Sequence, residues 1–517
     1  MANHLIDQLF ARGRAAAPAL ILASRVVSYA DLDRESARYA NALVALGVAP
    51  GDRVAAQLQK SAANLILYLA TVRAGAVFLP LNPAYTAAEI AYFLGDAEPR
   101  LLVCDPAVRD GLSAVAGHAR LETLDGAGEG SLADLAAVAA NGFDPLRREP
   151  DDLAALCYTS GTTGRSKGAM LTHGNLASNA ETLKGLWRFT ADDVLIHALP
   201  IYHVHGLFIA TNVLLMAGGA MILQPKFDAG AVLAAMPRAT ALMGVPTFYT
   251  RLLAQGGLTR EATAGMRLFV CGSAPLLAQT HLEFERRTGQ AILERYGMTE
   301  TGMNASNPYD GERRPGAVGF ALPGVNLRVA SPENGAPLTK GEIGVVEVNG
   351  PNVFAGYWRN PDKTAAEFRP DGYFITGDLG VFDERGYLSI VGRGKDLIIR
   401  GGLNVYPSEI EAELDRLPGV RESAVVGLPD ADLGEAVAAI VVAGEAPAPS
   451  EPDLLAALAQ RLARYKLPRR IVFVDDLPRN AMGKVQKALL RERYAALFRA
   501  PPPAADASLE CGPKTST

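Results

Sequence analysis

The sequence predicts a large layered α/β domain followed by a smaller α+β domain. Short apolar runs alternate with alanine- and leucine-rich helical segments through the first two thirds of the 517-residue chain, and strands separated by helices of this length indicate layered α/β architecture. From about residue 342, short strands with glycine turns follow one another closely, as in a small barrel-like unit. We expect an N-terminal domain over 1–394, a mobile C-terminal domain over 395–499 and a disordered tail over 500–517.

The predicted strands of the large domain are short and largely apolar. Their segments are, in chain order, DRVAAQL, AVFLPL, RLLVCD, ALMGV, RLFVCG and AILERYG. The run 207–223, LFIATNVLLMAGGAMIL, is more apolar, but it is slightly short of a membrane span and is interrupted by Thr211, Asn212 and two glycines. A buried helix that leads into a strand is therefore predicted there, and no membrane span.

The C-terminal domain has its own order of elements. The segment PSEIEAELDRL places Ile410, Leu414 and Leu417 on one helical face. Strands are predicted for ESAVVGL, EAVAAIVVA and RRIVFVDDLP, and helices for DLLAALAQRLARY and GKVQKALLRERYAAL. These elements span about 110 residues, which is enough for a compact domain with its own core.

Composition argues against several classes of function. The formal net charge of −5 gives no basic footprint for nucleic acid. The cysteines Cys104, Cys157, Cys271 and Cys511 contain no CxxC pair, which disfavours a disulfide framework or a zinc site and is typical of a reducing compartment. We therefore predict a cytoplasmic protein whose partners are small molecules.

The segment YTSGTTGRSKG, residues 158–168, fits two incompatible functions. A nucleophile elbow would make Ser166 a catalytic serine, but the last histidine is His281, and the most motif-like part of the chain beyond it would have no role. A Walker loop is not supported, because Ser166 rather than glycine precedes Lys167. A phosphate-binding loop is favoured, in which Lys167 adds charge to the backbone amides and to the hydroxyls of Ser160, Thr162 and Thr163.

Four further motifs follow this loop: YGMTE at 296–300, ITGD at 375–378, GRGKD at 392–396 and PRNAMGK at 478–484. With the loop, they resemble the signatures of the adenylate-forming superfamily, which contains acyl-CoA synthetases, luciferases and peptide-synthetase adenylation domains. The resemblance covers about residues 5–498. It implies an acid–thiol ligase that uses ATP, Mg²⁺ and coenzyme A.

Such an enzyme has to make a carboxylate reactive. A carboxylate is a poor electrophile, because its leaving group would be oxide. Attack of the carboxylate on the α-phosphate of ATP gives an acyl-adenylate, and a thiol then displaces AMP. The first step needs neutralisation of charge more than acid–base catalysis.

The resemblance also implies a nucleotide site. Glu300 would hold Mg²⁺, Asp378 would accept hydrogen bonds from the ribose hydroxyls, and Ser273–Pro275 and Tyr296–Gly297 would lie beside the adenine. Thr299, Glu300 and Lys484 would be the catalytic residues. The implied ATP-binding residues are Thr159, Ser160, Gly161, Thr162, Thr163, Gly164, Lys167, Ser273, Ala274, Pro275, Tyr296, Gly297, Met298, Thr299, Asp378, Arg393 and Lys484.

Two lysines imply a change of conformation between the two half-reactions. By resemblance, Lys484 bridges the carboxylate and the α-phosphate during adenylation, and Lys395 is the hinge about which the C-terminal domain then rotates. Residues Gly401, Gly402 and Leu403 would next help to form the pantetheine tunnel for CoA. Acetylation of Lys484 by a protein lysine acetyltransferase would remove its charge and mimic its loss.

The acid pocket is predicted to contain arginine, which is unusual for a pocket that binds a fatty or aromatic acid. Arg251 and Arg295 lie where the superfamily builds this pocket, and with His205 they indicate a site for a second carboxylate; the alternative for either arginine is a structural or surface position. His203 resembles the gate of the pocket, and Met303 is a further lining residue.

Four segments of this pocket, LPIYHVHG, GVPTFYTRL, ERYGMTET and MNASNPYDG, resemble those of bacterial malonyl-CoA synthetases. That resemblance implies malonate as the acid and methylmalonate as a second substrate. Two alternatives stay open: another short or medium acyl- or dicarboxylate–CoA ligase, and a freestanding adenylation domain that loads a carrier protein.

Overall fold

The computed structural model describes residues 2–159, 166–401, 403–430, 433–444, 449–480 and 483–498. The predicted phosphate-loop residues 160–164, Gly402 and the tail 500–517 lie outside the described residues. The chain divides into two compact units, Met1–Val391 and Gly392–Thr517.

Most of the longer helices begin at a polar side chain that caps the first turn. Ser28, Thr86 and Thr172 each form a capping box with the residue three positions later. The α-helices are α1 His4–Phe10, α2 Tyr29–Ala45, α3 Ala62–Arg73, α4 Ala87–Ala97, α5 Arg109–Ser113, α6 Ser131–Ala137, α7 His173–Leu186, α8 Thr211–Ala217, α9 Ala229–Ala235, α10 Pro246–Leu253, α11 Ala278–Thr288, α12 Pro361–Ala366, α13 Pro407–Leu414, α14 Glu451–Ala459 and α15 Lys487–Arg493.

The strands are mostly short, and those of the central sheets are buried along most of their length. They are β1 Pro18–Ile21, β2 Val26–Ser28, β3 Arg53–Gln57, β4 Val77–Pro80, β5 Leu101–Cys104, β6 Arg120–Thr123, β7 Leu153–Thr159, β8 Lys167–Thr172, β9 Val194–His197, β10 Ala220–Leu223, β11 Ala241–Gly244, β12 Leu268–Cys271, β13 Leu293–Met298, β14 Gly302–Ser306, β15 Phe320–Ala321, β16 Asn326–Ala330, β17 Gly344–Asn349, β18 Phe374–Phe382, β19 Leu388–Arg393, β20 Ile398–Arg400, β21 Leu403–Val405, β22 Val420–Asp430, β23 Gly434–Ala443 and β24 Arg470–Val474.

Two mainly parallel sheets form the body of the first unit. One has the strand order β6-β5-β3-β4-β7-β8, in which only the pair β7–β8 is antiparallel. The other has the order β15-β14-β13-β12-β11-β9-β10-β1-β2 and is parallel from β13 to β1. Parallel neighbours need crossover connections, usually helical, so the predicted layered α/β fold is confirmed.

The nine-stranded sheet explains where a site can form. Strands β9, β12 and β13 run in the same direction and end at His197, Cys271 and Met298. In open parallel sheets, ligands bind beyond the carboxyl ends of the strands. The segments that follow these strands contain the predicted site residues His203, Ser273 and Thr299.

The apolar run 207–223 is a buried helix followed by a strand, as predicted. A π-helical turn over His205–Ala210 continues into α8, and β10 follows a glycine pair. All residues of α8 are buried. In the part of the chain that the structure describes, no helix is long and apolar enough to cross a membrane.

The barrel-like region of the first unit is the antiparallel sheet β16-β17-β18-β19. The second unit is α+β, with the sheet order β21-β20-β23-β22 and β24 parallel to β23. Helices α13 and α14 contribute to one apolar core beside this sheet, and α15 contributes to another.

Two helices of the second unit are shorter than the sequence predicts. Helix α14 ends at Ala459, because Leu462, Tyr465 and Leu467 pack on the core as the chain turns toward β24. The last helix begins at Lys487 rather than near 483, because the preceding residues form a hairpin in which Arg479 pairs with Val485.

Candidate active site

Arg295 is a buried guanidinium on β13. The residue is 3% exposed, and its Nη2 donates to the Ser273 hydroxyl at 3.4 Å. Its Nε is buried without a hydrogen-bond partner, and no acidic side chain among the described residues forms an ion pair with it. Burial lowers the pKa of Arg295 to about 10. Among the described residues, Arg295 is thus a buried cationic group without an acidic partner.

Ser273 connects Arg295 with His205. The backbone of Ser273 has φ +72°, a left-handed conformation that is strained for a residue other than glycine. Its hydroxyl lies 3.3 Å from His205 Nδ1, while His205 Nε2 is buried without a partner. Burial and the charge of Arg295 hold the pKa of His205 well below its usual value, so the imidazole is neutral. His205 begins the π-helical turn, an irregularity that is frequent at functional sites.

Gly272 leaves room for the Arg295 side chain beside the backbone. A Cβ at Gly272 would lie 2.5 Å from both Cζ and Nη1 of Arg295, so the guanidinium would have to shift. The guanidinium therefore packs directly on the backbone that follows β12.

The other predicted acid-pocket residues are placed differently. His203 is partly buried, its ring lies against Tyr202 with centroids 4.6 Å apart, and burial lowers its pKa to about 4. Met303 is buried on β14, where its backbone is bonded in both directions by the Asn179 side chain. Arg251 is exposed in the last turn of α10, so the structure gives no support for its predicted role in the pocket.

Tyr296 and Asp378 come together from motifs 82 residues apart. The Tyr296 hydroxyl donates to Asp378 Oδ2 at 2.7 Å, and both residues are buried. This bond joins β13 to β18, which carry the YGMTE and ITGD motifs. The predicted adenine and ribose residues are thus adjacent, and the latter is a carboxylate that can accept from hydroxyls.

Glu300 and Lys167 come together through Tyr357. The Tyr357 oxygen lies 2.6 Å from Glu367 Oε2 and 3.2 Å from Glu300 Oε1, so its single proton is shared between the two carboxylates. Lys167 Nζ lies over the Tyr357 ring, 5.3 Å from its centroid. Glu300 is a buried carboxylate, which suits a magnesium ion that keeps its remaining ligands as water and substrate phosphate.

Sequence reasoning missed a clamp on the two ends of the phosphate loop. Tyr158, at the start of segment 158–168, donates its hydroxyl to Asp96, and Tyr92 donates to the backbone oxygen of Ser166 near the end of that segment at 2.7 Å. Tyr92 and Asp96 are four residues apart on α4 and so share a helix face. No sequence pattern marks them, because their partners lie 62 and 74 residues away.

A buried lysine was also missed. Lys60 Nζ lies 2.9 Å from His197 Nδ1 and donates to the His197 backbone oxygen at 2.7 Å. His197 Nε2 lies 2.9 Å from the backbone oxygen of Gly206, in the π-helical turn that His205 begins. Burial holds the pKa values of both side chains well below their usual ranges. The Lys60–His197 pair thus contacts the π-helical turn through the backbone oxygen of Gly206.

The remaining predicted residues divide between the units. In the first, Thr159 pairs with Lys167 across β7–β8, Ala274 and Pro275 follow Ser273, and Gly297, Met298 and Thr299 follow Tyr296. The second unit contains Arg393, Lys395, Gly401, Leu403 and Lys484.

Comparisons with known proteins match most of the chain. The model of the AMP-binding enzyme family matches residues 8–358, and that of the AMP-binding enzyme C-terminal domain matches 409–484. The crystal structure of ATP-bound MatB from Rhodopseudomonas palustris is 59% identical, with a TM-score of 0.95 over 96% of this chain and 100% of that one.

Curated relatives carry several acid specificities. A feruloyl-CoA synthase from an Amycolatopsis species is 38% identical over 479 residues, 90% of this chain and 94% of the relative. A malonate–CoA ligase from Arabidopsis thaliana is 35% identical over 482 residues, 86% of this chain and 78% of the relative.

Proposed function

We propose that malonate is the acid substrate of this chain, which belongs to the AMP-binding enzyme family and is an acid–thiol ligase. The family's reaction uses ATP, Mg²⁺ and CoA. The proposed reaction converts malonate, ATP and CoA into malonyl-CoA, AMP and pyrophosphate through a malonyl-adenylate.

The observation that carries the proposal is the buried guanidinium of Arg295. A buried charge without a counter-ion costs free energy, and a second carboxylate on the substrate would supply that counter-ion. Two parallel hydrogen bonds from a guanidinium also direct a carboxylate, which a point charge does not. Ferulate has no second carboxylate, so a pocket for it would leave Arg295 uncompensated.

The comparisons support malonate without deciding it. Malonate is the named substrate of the Arabidopsis ligase, whereas feruloyl-CoA synthases of similar or higher identity act on an aromatic acid. Identity among these curated relatives therefore does not select the acid, and the argument rests on Arg295, Ser273 and His205.

The residues would act in two steps. During adenylation, Lys167 and the phosphate loop would neutralise the phosphates, and Lys484 would bridge the reacting carboxylate and the α-phosphate. Glu300 would contribute an oxygen ligand to Mg²⁺, which when bound stabilises the charge of the leaving pyrophosphate. Asp378 would hold the ribose, and Arg295 would hold the distal carboxylate, so that only one end of malonate can react.

In the second step the thiol of CoA would displace AMP. We keep the prediction that rotation about Lys395 then removes Lys484 and that Gly401–Leu403 helps to form the pantetheine tunnel. Methylmalonate stays a proposed second substrate, because its extra methyl group leaves both carboxylates in place. A cytoplasmic location and the acetylation of Lys484 likewise stay predictions.

An acid panel tests the proposal. Malonate, methylmalonate, succinate, acetate and ferulate are compared by ATP–pyrophosphate exchange, and the adenylate of the best acid is then offered CoA or a carrier protein. Malonate should give the highest kcat/KM, with CoA as the acceptor. A higher value for acetate or ferulate would refute the malonate assignment, and transfer to a carrier protein alone would favour the freestanding adenylation domain.

A further inference from the structure

The hairpin that carries Lys484 is held by a dense set of backbone bonds. The Asn480 amide donates to the Lys484 oxygen at 3.0 Å, the Gly483 amide to the Asn480 oxygen at 2.9 Å, and the Gln486 amide to the Pro478 oxygen at 2.8 Å. Gly483 has φ +75°, a conformation that favours glycine. The backbone of Lys484 is thus placed by its neighbours.

Two apolar side chains fix the base of this hairpin. Leu477 and Val485 pack against the core that includes Val426, Ile440 and Leu490. Since successive side chains of an extended segment point to opposite faces, Lys484 points away from the core that Val485 contacts. The hairpin therefore fixes the backbone of Lys484 relative to the core of the second unit.

Arg479 links this hairpin to the sheet of the second unit. Its Nη1 donates to the Gly483 backbone oxygen at 2.7 Å, and its Nη2 forms an ion pair with Glu422 on β22. Both side chains are mostly buried, with 26% and 20% exposure. One guanidinium thus bonds the residue before Lys484 to the rigid sheet of the second unit, a geometry that the single amine of lysine cannot reproduce.

We propose that Arg479 is a positioning residue for adenylation, acting through Lys484 and held by Glu422. The proposal rests on the role given above to Lys484. It predicts that Arg479 matters in the half-reaction that uses Lys484 and not in the one that does not. A merely structural role would instead lower both half-reactions together, because both need a folded second unit.

The test separates the half-reactions. Wild type, Lys484→Ala, Arg479→Ala, Arg479→Lys and Glu422→Gln are assayed with the acid that the wild type uses best. Adenylation is followed by pyrophosphate release in single turnover, and thioesterification from chemically prepared acyl-adenylate and CoA. The matched control is Arg470→Ala. It removes another arginine of the second unit, which pairs with Glu451 at 3.1 Å and not with Glu422.

Arg479→Ala should lower adenylation by roughly 30- to 100-fold, since small misplacement of a reacting group has effects of this size. Thioesterification should stay within about threefold of wild type, and so should both half-reactions of Arg470→Ala. Arg479→Lys and Glu422→Gln should give smaller losses with the same selectivity; if Arg479→Ala does not fold, these two variants decide.

Two results would overturn the inference. In the first, Lys484→Ala loses adenylation, but the Arg479 and Glu422 variants lose both half-reactions equally or lose neither. This result would refute the positioning role alone. Normal adenylation in Lys484→Ala would remove the proposed function of that lysine, and the positioning role with it.

Discussion

Replacement of Arg295 should separate stability from activity. Arg295→Met keeps much of the side-chain volume and removes the charge. Burial lowers the pKa of Arg295 from 12.5 to about 10, and a shift of this size corresponds to about 3 kcal/mol against the charged form. Because the folded pKa is the lower one, this cost is fully present below about pH 10 and declines only as the pH rises toward the unfolded value.

At pH 7.5 the free energy of unfolding of Arg295→Met should therefore exceed that of the wild type, by up to about 3 kcal/mol. Malonate use should change in the opposite direction. Loss of one partner of a buried ion pair costs about 3–5 kcal/mol, or roughly 10²–10⁴ in kcat/KM. The ratio of kcat/KM for malonate to kcat/KM for acetate should fall by a similar factor, because acetate has no second carboxylate to bond to the guanidinium.

The assay combines thermal unfolding with ATP–pyrophosphate exchange. Malonate should raise the Tm of the wild type and not that of Arg295→Met. Arg295→Lys should not restore activity, since it lacks the planar fork, and the exposed Arg251→Ala is the matched control that should keep wild-type kinetics. The reasoning is refuted if Arg295→Met turns over malonate within threefold of the wild-type rate, or if Arg251→Ala is the variant that loses it.

Three further changes have distinct expected results. Tyr92→Phe removes one hydrogen bond to the phosphate-loop backbone and should raise the KM for ATP by roughly 2- to 10-fold; an unchanged KM in steady-state kinetics would contradict the clamp. Lys60→Met removes the donor to His197 and should raise the KM for malonate roughly tenfold while leaving that for ATP unchanged; equal changes in both would indicate general damage. Burial raises the pKa of Asp415 to about 7, so its stability cost is absent below the unfolded value, grows as the pH rises and is complete above about pH 7. Asp415→Asn should therefore stabilise the second unit increasingly from pH 5 to pH 8, by up to about 4 kcal/mol, as measured by hydrogen exchange; a difference independent of pH would contradict the assignment.

Local patterns predicted the strands well, because a strand is recorded in a short segment of the sequence. The apolar runs that became β3, β5 and β12 differ from their predicted ends by one residue or so. Tyr296 and Asp378 were each predicted to contact the same nucleotide, and the structure brings their side chains together; their roles toward ATP stay predictions. Motifs of a common ligand have to meet in space, so their order along the chain carries three-dimensional information.

The burial of Arg251 and that of Arg295 differ in how far the sequence predicts them. Helix α10 buries Phe248, Tyr249 and Leu252, and a residue between the last two lies off that apolar face. Arg295, in contrast, sits in a strand that is buried on both faces, where polarity gives no direction. The contacts of Lys60 and Tyr92 could not be predicted, because each partner lies far along the chain and only the assembled sheets bring them together.

Two buried polar atoms beside Ser273, among several in the described part of the chain, lack a hydrogen-bond partner. Buried polar groups in native proteins are usually hydrogen-bonded, and the exceptions need a reason. Arg295 Nε and His205 Nε2 are two such exceptions, and Ser273 lies between their side chains in a strained conformation. Strain and unsatisfied polar atoms each cost stability and persist only where the surrounding structure enforces them. Here the enforcement is visible, because Gly272 admits the guanidinium and the Lys60–His197 pair holds the turn of His205. A carboxylate bound to Arg295, as proposed above, would therefore meet a guanidinium that is already held in place, and its binding would relieve the cost of the buried Arg295 charge.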